Sequence, residues 1–397
     1  MIREEQKLQV DYVSSAMDAR DFEDLFRDTD RMPGQQAQKY NRLMIQGLAG
    51  NDVEVHAISG RPVTSSNCEK KFLRATSRID GNITYQYGSV LNIRGIKNLW
   101  HMAFAYLAVL KDAKKGCTAV VCDVLNASVA YGASLAAKRR HIPCIGIVTD
   151  LPELMVTGTR KDHVRLVRKV LENCTGYIPL TEAMNQKINP DHKPYVVVEG
   201  LCDVNMRMAE KKTVSGVRKC MYAGLLDARY GVKTMVDGFL LAKVPNAELH
   251  VYGQGPYVDE LKEIANTHHE VIYYGVAMNE EVVSAELEAS LLINPRPTHE
   301  EFTKYSFPSK NMEYMASGTP VLTTKLPGMP ADYYPYVFLV NDESAEGMAK
   351  AYQNVLEKTD EELAKKGKQA KQFVLSEKNN IVQANRAVRL IVNQKKM

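Results

Sequence analysis

Short apolar, β-branched runs alternate with helical stretches along almost the whole chain, and they do so in two successive sets. That alternation limits the fold. Strands separated by helices pair in parallel, and a parallel sheet is covered by helices on both faces. The first set predicts strands at Leu8–Val13, Glu54–Ile58, Ala119–Cys122, Cys144–Val148, Gly176–Pro179 and Tyr195–Val198. The second predicts them at Cys220–Tyr222, Ala247–Val251, Val271–Tyr274, Leu291–Ile293, Val321–Thr323 and Val337–Val340. Two sets in 397 residues imply two doubly wound domains. The polar segment Asn205–Gly216 separates them. The expected division is 1–205, 206–380, and a helix over 381–397 that can cross back to the first domain. Doubly wound sheets bind ligands at the carboxyl ends of their strands, and two such domains facing each other enclose a cleft.

Charge argues against a nucleic-acid partner. The net charge is only +4, and residues 1–205 carry all of it: 27 Lys/Arg against 23 Asp/Glu there, 24 of each afterwards. Lys138–His141 and Arg160–Lys169 hold much of this basic excess. The second is an amphipathic basic helix that suits an anionic membrane surface, though a solvated helix face explains it as well. The seven cysteines, at 68, 117, 122, 144, 174, 202 and 220, include no CxxC pair. They read as buried reduced thiols of a cytosolic protein, and no metal site is expected. The start, MIREEQKLQV, lacks an apolar signal core, and the run Ala119–Ala137 is broken by Asp123 and Asn126. The expected location is the cytoplasm.

Three strand ends in the second half carry glycine. In CMYAGLLDARYG, Gly224 ends a strand, and a loop with Asp227, Arg229 and Gly231 leads to a helix. Backbone N–H groups at such a turn can approach a phosphate, and Arg229 can pair with its oxygens. An ordinary turn with a solvated arginine is the plainer alternative. LHVYGQGP places Gly253 and Gly255 after the next strand, and VIYYGV places Gly275 after the third. A dinucleotide fingerprint is absent, because Val258 stands where the third glycine belongs.

The segment Leu291–Thr323 is the most informative. A strand ends at Pro295, a polar loop follows, and Ser306-Phe307-Pro308-Ser309-Lys310 opens a helix that carries Glu313. A hydroxyl, free N–H groups and a lysine at a helix start form a phosphate cradle. A carboxylate one turn on, Glu313, suits ribose hydroxyls. Ser309 as a simple N-cap explains part of the pattern but not the loop. In the first half, Asp150 follows a buried strand and is a candidate base or orienting group for an acceptor hydroxyl; capping the next turn is the alternative. The loop Arg31–Gln36 is a second acceptor-side candidate. His56, His101 and His141 show no ligand spacing and read as structural or exposed.

These motifs resemble the GT-B-fold retaining glycosyltransferases of the family 4 type, also called glycosyl transferases group 1, and most of all bacterial enzymes of capsular and exopolysaccharide synthesis. YAGLLDARYG is similar to the family's donor-phosphate loop, VYGQGP to its next glycine turn, and YGVAMNEEVV to its nucleobase-side strand and loop. PSKNMEYMASGTPVL is similar to its diagnostic helix, with Glu313 as the second acid. LTEAM and VVEGLCD resemble segments that close the first domain. Tyr305 stands where the family places its first acid, and Glu300 or Glu301 can return to that place. Leu225 and Tyr230 replace a usual arginine and lysine, and Thr149 and Asp150 stand where many members have histidine.

The resemblance implies an α/β, GT-B architecture whose second domain holds a nucleotide-diphosphate sugar. The implied donor-binding residues are Gly224, Arg229, Gly253, Gly255, Gly275, Ser306, Phe307, Pro308, Ser309, Lys310 and Glu313. The implied catalytic residues are Asp150, Glu301 and Lys310. No cofactor and no metal are expected, since there is no DxD triplet and lysine and arginine can neutralise the diphosphate. The implied acceptor is a saccharide or a polyprenyl-diphosphate-linked saccharide, reached from the cytoplasmic face of the membrane. A sugar-nucleotide epimerase, a phosphorylase and a non-catalytic partner subunit are the rival readings on the same fold.

Overall fold

The computed structural model describes residues 7–29, 31–93, 95–154, 161–205 and 216–395. The chain divides into two compact units, residues 1–201 with 380–397, and residues 202–379. Most of the segment read from sequence as the separator, 206–215, lies outside the described residues.

The strands of the first unit are β1 (Gln9–Ser14), β2 (Glu54–Ser59), β3 (Phe72–Leu73), β4 (Thr76–Asp80), β5 (Ile83–Tyr87), β6 (Val90–Leu91), β7 (Ala119–Asp123), β8 (Cys144–Val148) and β9 (Gly176–Pro179). Its seven-stranded sheet runs β4-β5-β2-β1-β7-β8-β9, and only β4 is antiparallel to its neighbour. The short strands β3 and β6 pair separately. Every residue of β1, β7, β8 and β9 is buried, as parallel strands covered on both faces must be.

Three features differ from the sequence expectation, the first being the separate pair of β3 and β6. Tyr195–Val198 is not a strand; it makes one bridge, Tyr177 to Tyr195. Val196 and Val198 donate to the carbonyls of Tyr177 and Pro179, but Pro179 has no N–H to return, so the ladder stops. The hairpin of β4 and β5 was not anticipated. Exposed β4 offers no apolar run, and the readable signal was the Asp80–Gly81 turn, with Gly81 at φ +56°.

The final helix, Asn380–Lys395, belongs to the first unit. Ala384, Ala387, Leu390 and Ile391 enter its core. A side chain at Gly47, on the helix Gln35–Ala49, would lie 2.2 Å from the Asn380 carbonyl oxygen, so glycine permits the close approach.

The second unit holds β10 (Arg218–Leu225), β11 (Ala247–Gln254), β12 (Val271–Gly275), β13 (Leu291–Asn294), β14 (Val321–Thr324) and β15 (Phe338–Val340). All are parallel, in the order β12-β11-β10-β13-β14-β15. Alternate residues feed two separate cores. Tyr222, Val251 and Ile293 enter one; Met221, Tyr252 and Leu292 enter the other. In each unit the chain starts at the centre, winds outward, then restarts on the other side. The order therefore reverses between β1 and β7 and between β10 and β13, and such a reversal opens a crevice at the strands' carboxyl ends.

Candidate functional site

The crevice of the second unit can be built from its backbone. β10 pairs with β11 as far as Leu225 and Gln254, but with β13 only through Cys220 and Met221. Past Met221 the two central strands part. The Ala223 N–H then donates to the Tyr314 hydroxyl at 3.2 Å, which in turn lies 3.5 Å from the Ala223 carbonyl oxygen. Tyr314 belongs to the helix Ser309–Ser317, so this contact pins the helix into the gap. A second tether joins the strand end to the same helix. Asn294 Nδ2 donates to Asn311 Oδ1 at 2.7 Å, and Asn311 Nδ2 donates to Thr323 Oγ1 at 3.3 Å. Asn311 is fully buried, so these bonds fix where the helix begins.

Pro308 occupies the N-cap position, and no side chain caps the helix. Ser309 is therefore the first helical residue and is exposed, not the cap of the alternative reading. Lys310 comes next and reaches back over β10. A Cβ on Gly224 would lie 2.5 Å from Lys310 Nζ and 2.8 Å from the Tyr222 hydroxyl. Glycine at 224 thus makes room for the ammonium. Nζ sits 5.5 Å from the centroid of the Tyr222 ring. It forms no hydrogen bond or salt bridge with any described residue. Burial pulls its pKa below the ordinary value; Glu313 and Glu286 oppose that pull, and Arg296 adds to it.

Arg296, two residues past β13, was not singled out from sequence. Its guanidinium lies 5.1 Å from the Tyr230 ring centroid and 5.5 Å from that of Phe302. The available signal was a cation in the run Asn294-Pro295-Arg296-Pro297 just after a central strand. Tyr222, Asn311 and Tyr314 were also missed, being indistinguishable from core residues.

The other sequence candidates take varied places. A side chain at Gly253 (φ +131°) would lie 1.8 Å from the Gly224 carbonyl oxygen, and one at Gly255 would lie 2.3 Å from that of Leu226. These two glycines serve the close approach of β11 to the end of β10. Gly275 ends β12 with open space around it. Arg229 is held by Asp227, with Nη2 to Oδ2 at 2.7 Å, and this partner holds the Asp227 carboxyl below its ordinary pKa. Ser306 Oγ donates to the Phe302 carbonyl at 3.1 Å, and Phe307 is buried with its ring 5.0 Å from that of Tyr333. With buried Pro308, these side chains shape the loop. Glu313 is exposed, one turn beyond Lys310. Glu301 opens the short 3-10 turn Glu301–Lys304; it is exposed and bonds to no described residue.

In the first unit, Asp150 is exposed on the bend after β8. Of the expected loop Arg31–Gln36, Gln35 and Gln36 already belong to the helix Gln35–Ala49, and Gly34 is its N-cap. The basic segment forms the helix Lys161–Asn173, with Val167 and Val170 buried; Arg160 lies outside the described residues. A pocket of about 800 Å³ is lined in part by Asn92, Lys97, Asn98, Leu99 and Met102. The helix Ile96–Ala113 exposes Ile96, Leu99, Trp100 and Leu107. Among the described residues, no helix is long and apolar enough to cross a membrane. All seven cysteines are free thiols, and Cys68 alone is not buried. The sulfurs of Cys122, Cys144 and Cys174 lie within 4.8 Å of one another, a grouping that no spacing in the sequence betrays.

Residues 217–358 match the family model described as glycosyl transferases group 1. Similar solved structures include sucrose-phosphate synthase from Thermosynechococcus elongatus, at TM-score 0.66 and 15% identity, covering 97% of this chain and 99% of that one. The α,α-trehalose 6-phosphate synthase from Burkholderia multivorans has a TM-score of 0.64 and 12% identity, covering 98% of each chain. Anabaena Alr3699/HepE in complex with UDP has a TM-score of 0.60 and 13% identity, covering 98% and 100%. No curated protein matches the chain. At these identities the structural likeness shows the fold, which is GT-B. With the match in the second unit, it supports a glycosyltransferase of the group 1 type.

Proposed function

We propose that this chain transfers a sugar from a nucleotide-diphosphate sugar to a saccharide or lipid-linked saccharide, with retention of configuration, in the synthesis of a surface polysaccharide. The observation that carries this reading is the Lys310 ammonium: partly desolvated, without an ion pair among the described residues, and held at a helix start beside the central strand. Such a cation waits for an anion. When the bond from the anomeric carbon to the diphosphate oxygen breaks, negative charge grows on that oxygen. Lys310, the helix N-terminus and Arg296 stabilise it, while the acceptor hydroxyl oxygen forms the new glycosidic bond and its proton passes to the departing diphosphate. Glu313 takes the ribose hydroxyls. Arg229 bears on the diphosphate from the far side of its pair with Asp227, and Glu301 meets the sugar. Lys310, Arg296 and Arg229 supply positive charge of the kind a metal ion would bring, and no metal requirement is expected. UDP in the related HepE structure favours a nucleoside diphosphate as the leaving group.

On the acceptor side, the first unit takes the saccharide, with Asp150 at its hydroxyl. The exposed apolar residues of the helix Ile96–Ala113 and the basic helix Lys161–Asn173 suit a lipid-linked acceptor at an anionic membrane on its cytoplasmic face. Sedimentation with anionic liposomes tests this part; no binding removes the membrane from the proposal.

A thermal-shift screen with UDP, GDP and ADP, repeated with their sugars, tests the donor. One nucleoside should stabilise the wild type and fail to stabilise Lys310→Met. If none stabilises the wild type, the reading falls. Tyr305 in the first acid's place, with Glu301 unbonded among the described residues, favours one second reading, a nucleotide-binding subunit without catalysis. Nucleotide binding with no sugar transfer to any extracted lipid acceptor would support it.

A further inference from the structure

Asp11 sits on β1, wholly buried, and neither of its carboxylate oxygens has a hydrogen-bond partner among the described residues. The nearby Cys117 thiol donates to the Ala119 carbonyl at 3.3 Å and exerts only a minor pull on Asp11. A buried carboxylate is strongly unfavourable unless something meets it. Its surroundings supply two further donors. The parallel register places His56 of β2 beside Asp11. His56 Nδ1 is 3.8 Å from Asp11 Oδ1 and 3.4 Å from Asp112 Oδ2, and Asp112 is itself buried on the last turn of the helix Ile96–Ala113. The three donor atoms lie within 4.8 Å of one another.

The far side of the imidazole decides how this group works. His56 Nε2 faces Glu54 Oε1 at 3.5 Å. Without a metal, Nδ1 shares a proton with Asp112 Oδ2 at 3.4 Å; with one, Glu54 would hold the ring proton at Nε2 and leave the Nδ1 lone pair to the ion. That is the second-shell arrangement of a metal-bound histidine. Either a proton on Nδ1 or a metal ion can lie between the ring and the two carboxylates. The Gln9 side-chain amide, whose nitrogen is placed 3.3 Å from Nδ1, offers an oxygen as a fourth donor when the amide is turned over. One nitrogen, two carboxylates and an amide oxygen or water make a tetrahedral set for a borderline divalent ion.

We propose that Asp11, His56 and Asp112 form a structural zinc site in the first unit. It lies toward the edge where the strands begin, since Gln9 and Thr118 at the starts of β1 and β7 are bonded beside it. It is therefore remote from the strands' carboxyl ends and independent of the transfer reaction.

The test uses the full chain, stripped with chelator, passed through a desalting column and titrated with zinc chloride. Expected results are one zinc per chain by elemental analysis and a rise of a few degrees in unfolding temperature at about a hundredfold excess over Kd. Both should vanish in the near-isosteric Asp11→Asn and in His56→Ala. Zinc that persists in Asp11→Asn but leaves in Cys144→Ala belongs to the thiol cluster and overturns the assignment. So does a wild type that ignores zinc while Asp11→Asn is as stable or more so, for then Asp11 holds a proton in place of a metal.

Discussion

Replacing Lys310 by methionine nearly preserves the side chain's length and removes its charge. The ammonium now stands against the Tyr222 ring, in the space left by Gly224. Two unit charges about 4 Å apart interact by about 4 kcal/mol at the effective dielectric near a protein surface. Lys310 is only partly buried, so water reduces this, and about 3 kcal/mol is a fair expectation. At about 1.4 kcal/mol per factor of ten, Lys310→Met should weaken nucleoside diphosphate binding, and slow transfer, by roughly 10²-fold.

Stability should move the other way. The ammonium has no ion pair among the described residues, and burial pulls its pKa down. The charge is thus a cost to the folded state, and methionine removes that cost. The pH dependence follows with a definite sign. Lys310 loses its proton more readily folded than unfolded, so between its lowered pKa and the ordinary 10.5 the unfolded chain binds more protons. Wild-type stability therefore gains a contribution as pH rises through that window, and Lys310→Met lacks the gain. Calorimetric titration with the stabilising nucleotide and unfolding temperatures from pH 7 to about 10.5 measure both effects. Unchanged affinity, or a variant clearly less stable at pH 7, would refute the placement of an unpaired cation at this crevice.

Three further outcomes follow from the packing. Gly253→Ala should fail to give soluble protein, because its Cβ would lie 1.8 Å from the Gly224 carbonyl oxygen, whereas Gly275→Ala, with open space, should fold at a cost of about 1–2 kcal/mol; expression and circular dichroism distinguish them. Asn311→Ala strands the Asn294 and Thr323 side chains and should cost about 2–3 kcal/mol in urea unfolding. A thiol reagent should modify one cysteine quickly in the native protein, Cys68, and the other six only on unfolding, and Cys68→Ser should abolish the fast phase.

Parallel strands were legible because burial on both faces leaves continuous apolar runs, and every strand of the second unit lies where such a run predicts it. Where the fold depends on a single backbone group, the runs mislead. Val196 and Val198 look like strand residues, but the missing N–H of Pro179 ends their ladder. The Asp11–His56–Asp112 group and the three clustered thiols were invisible for a different reason. Their members come from separate strands and from the ends of two helices, and only the folded packing brings them together.

Gly224 shows how the chemistry of a position can be right in kind and still rest on another cause. From sequence, a glycine at a strand end means backbone freedom and close approach of a phosphate. In the fold, Gly224 is not among the glycines with positive φ. What requires glycine there is the Lys310 ammonium and the Tyr222 hydroxyl, both too close for a Cβ. The two residues are therefore one device: the glycine clears the strand end and the lysine fills the clearing with charge. It follows that Gly224→Ala should resemble Lys310→Met in weakened nucleotide binding. It should differ from it in stability, because the Tyr222 hydroxyl, bonded to the Leu225 carbonyl at 2.9 Å, cannot retreat as the lysine tip can.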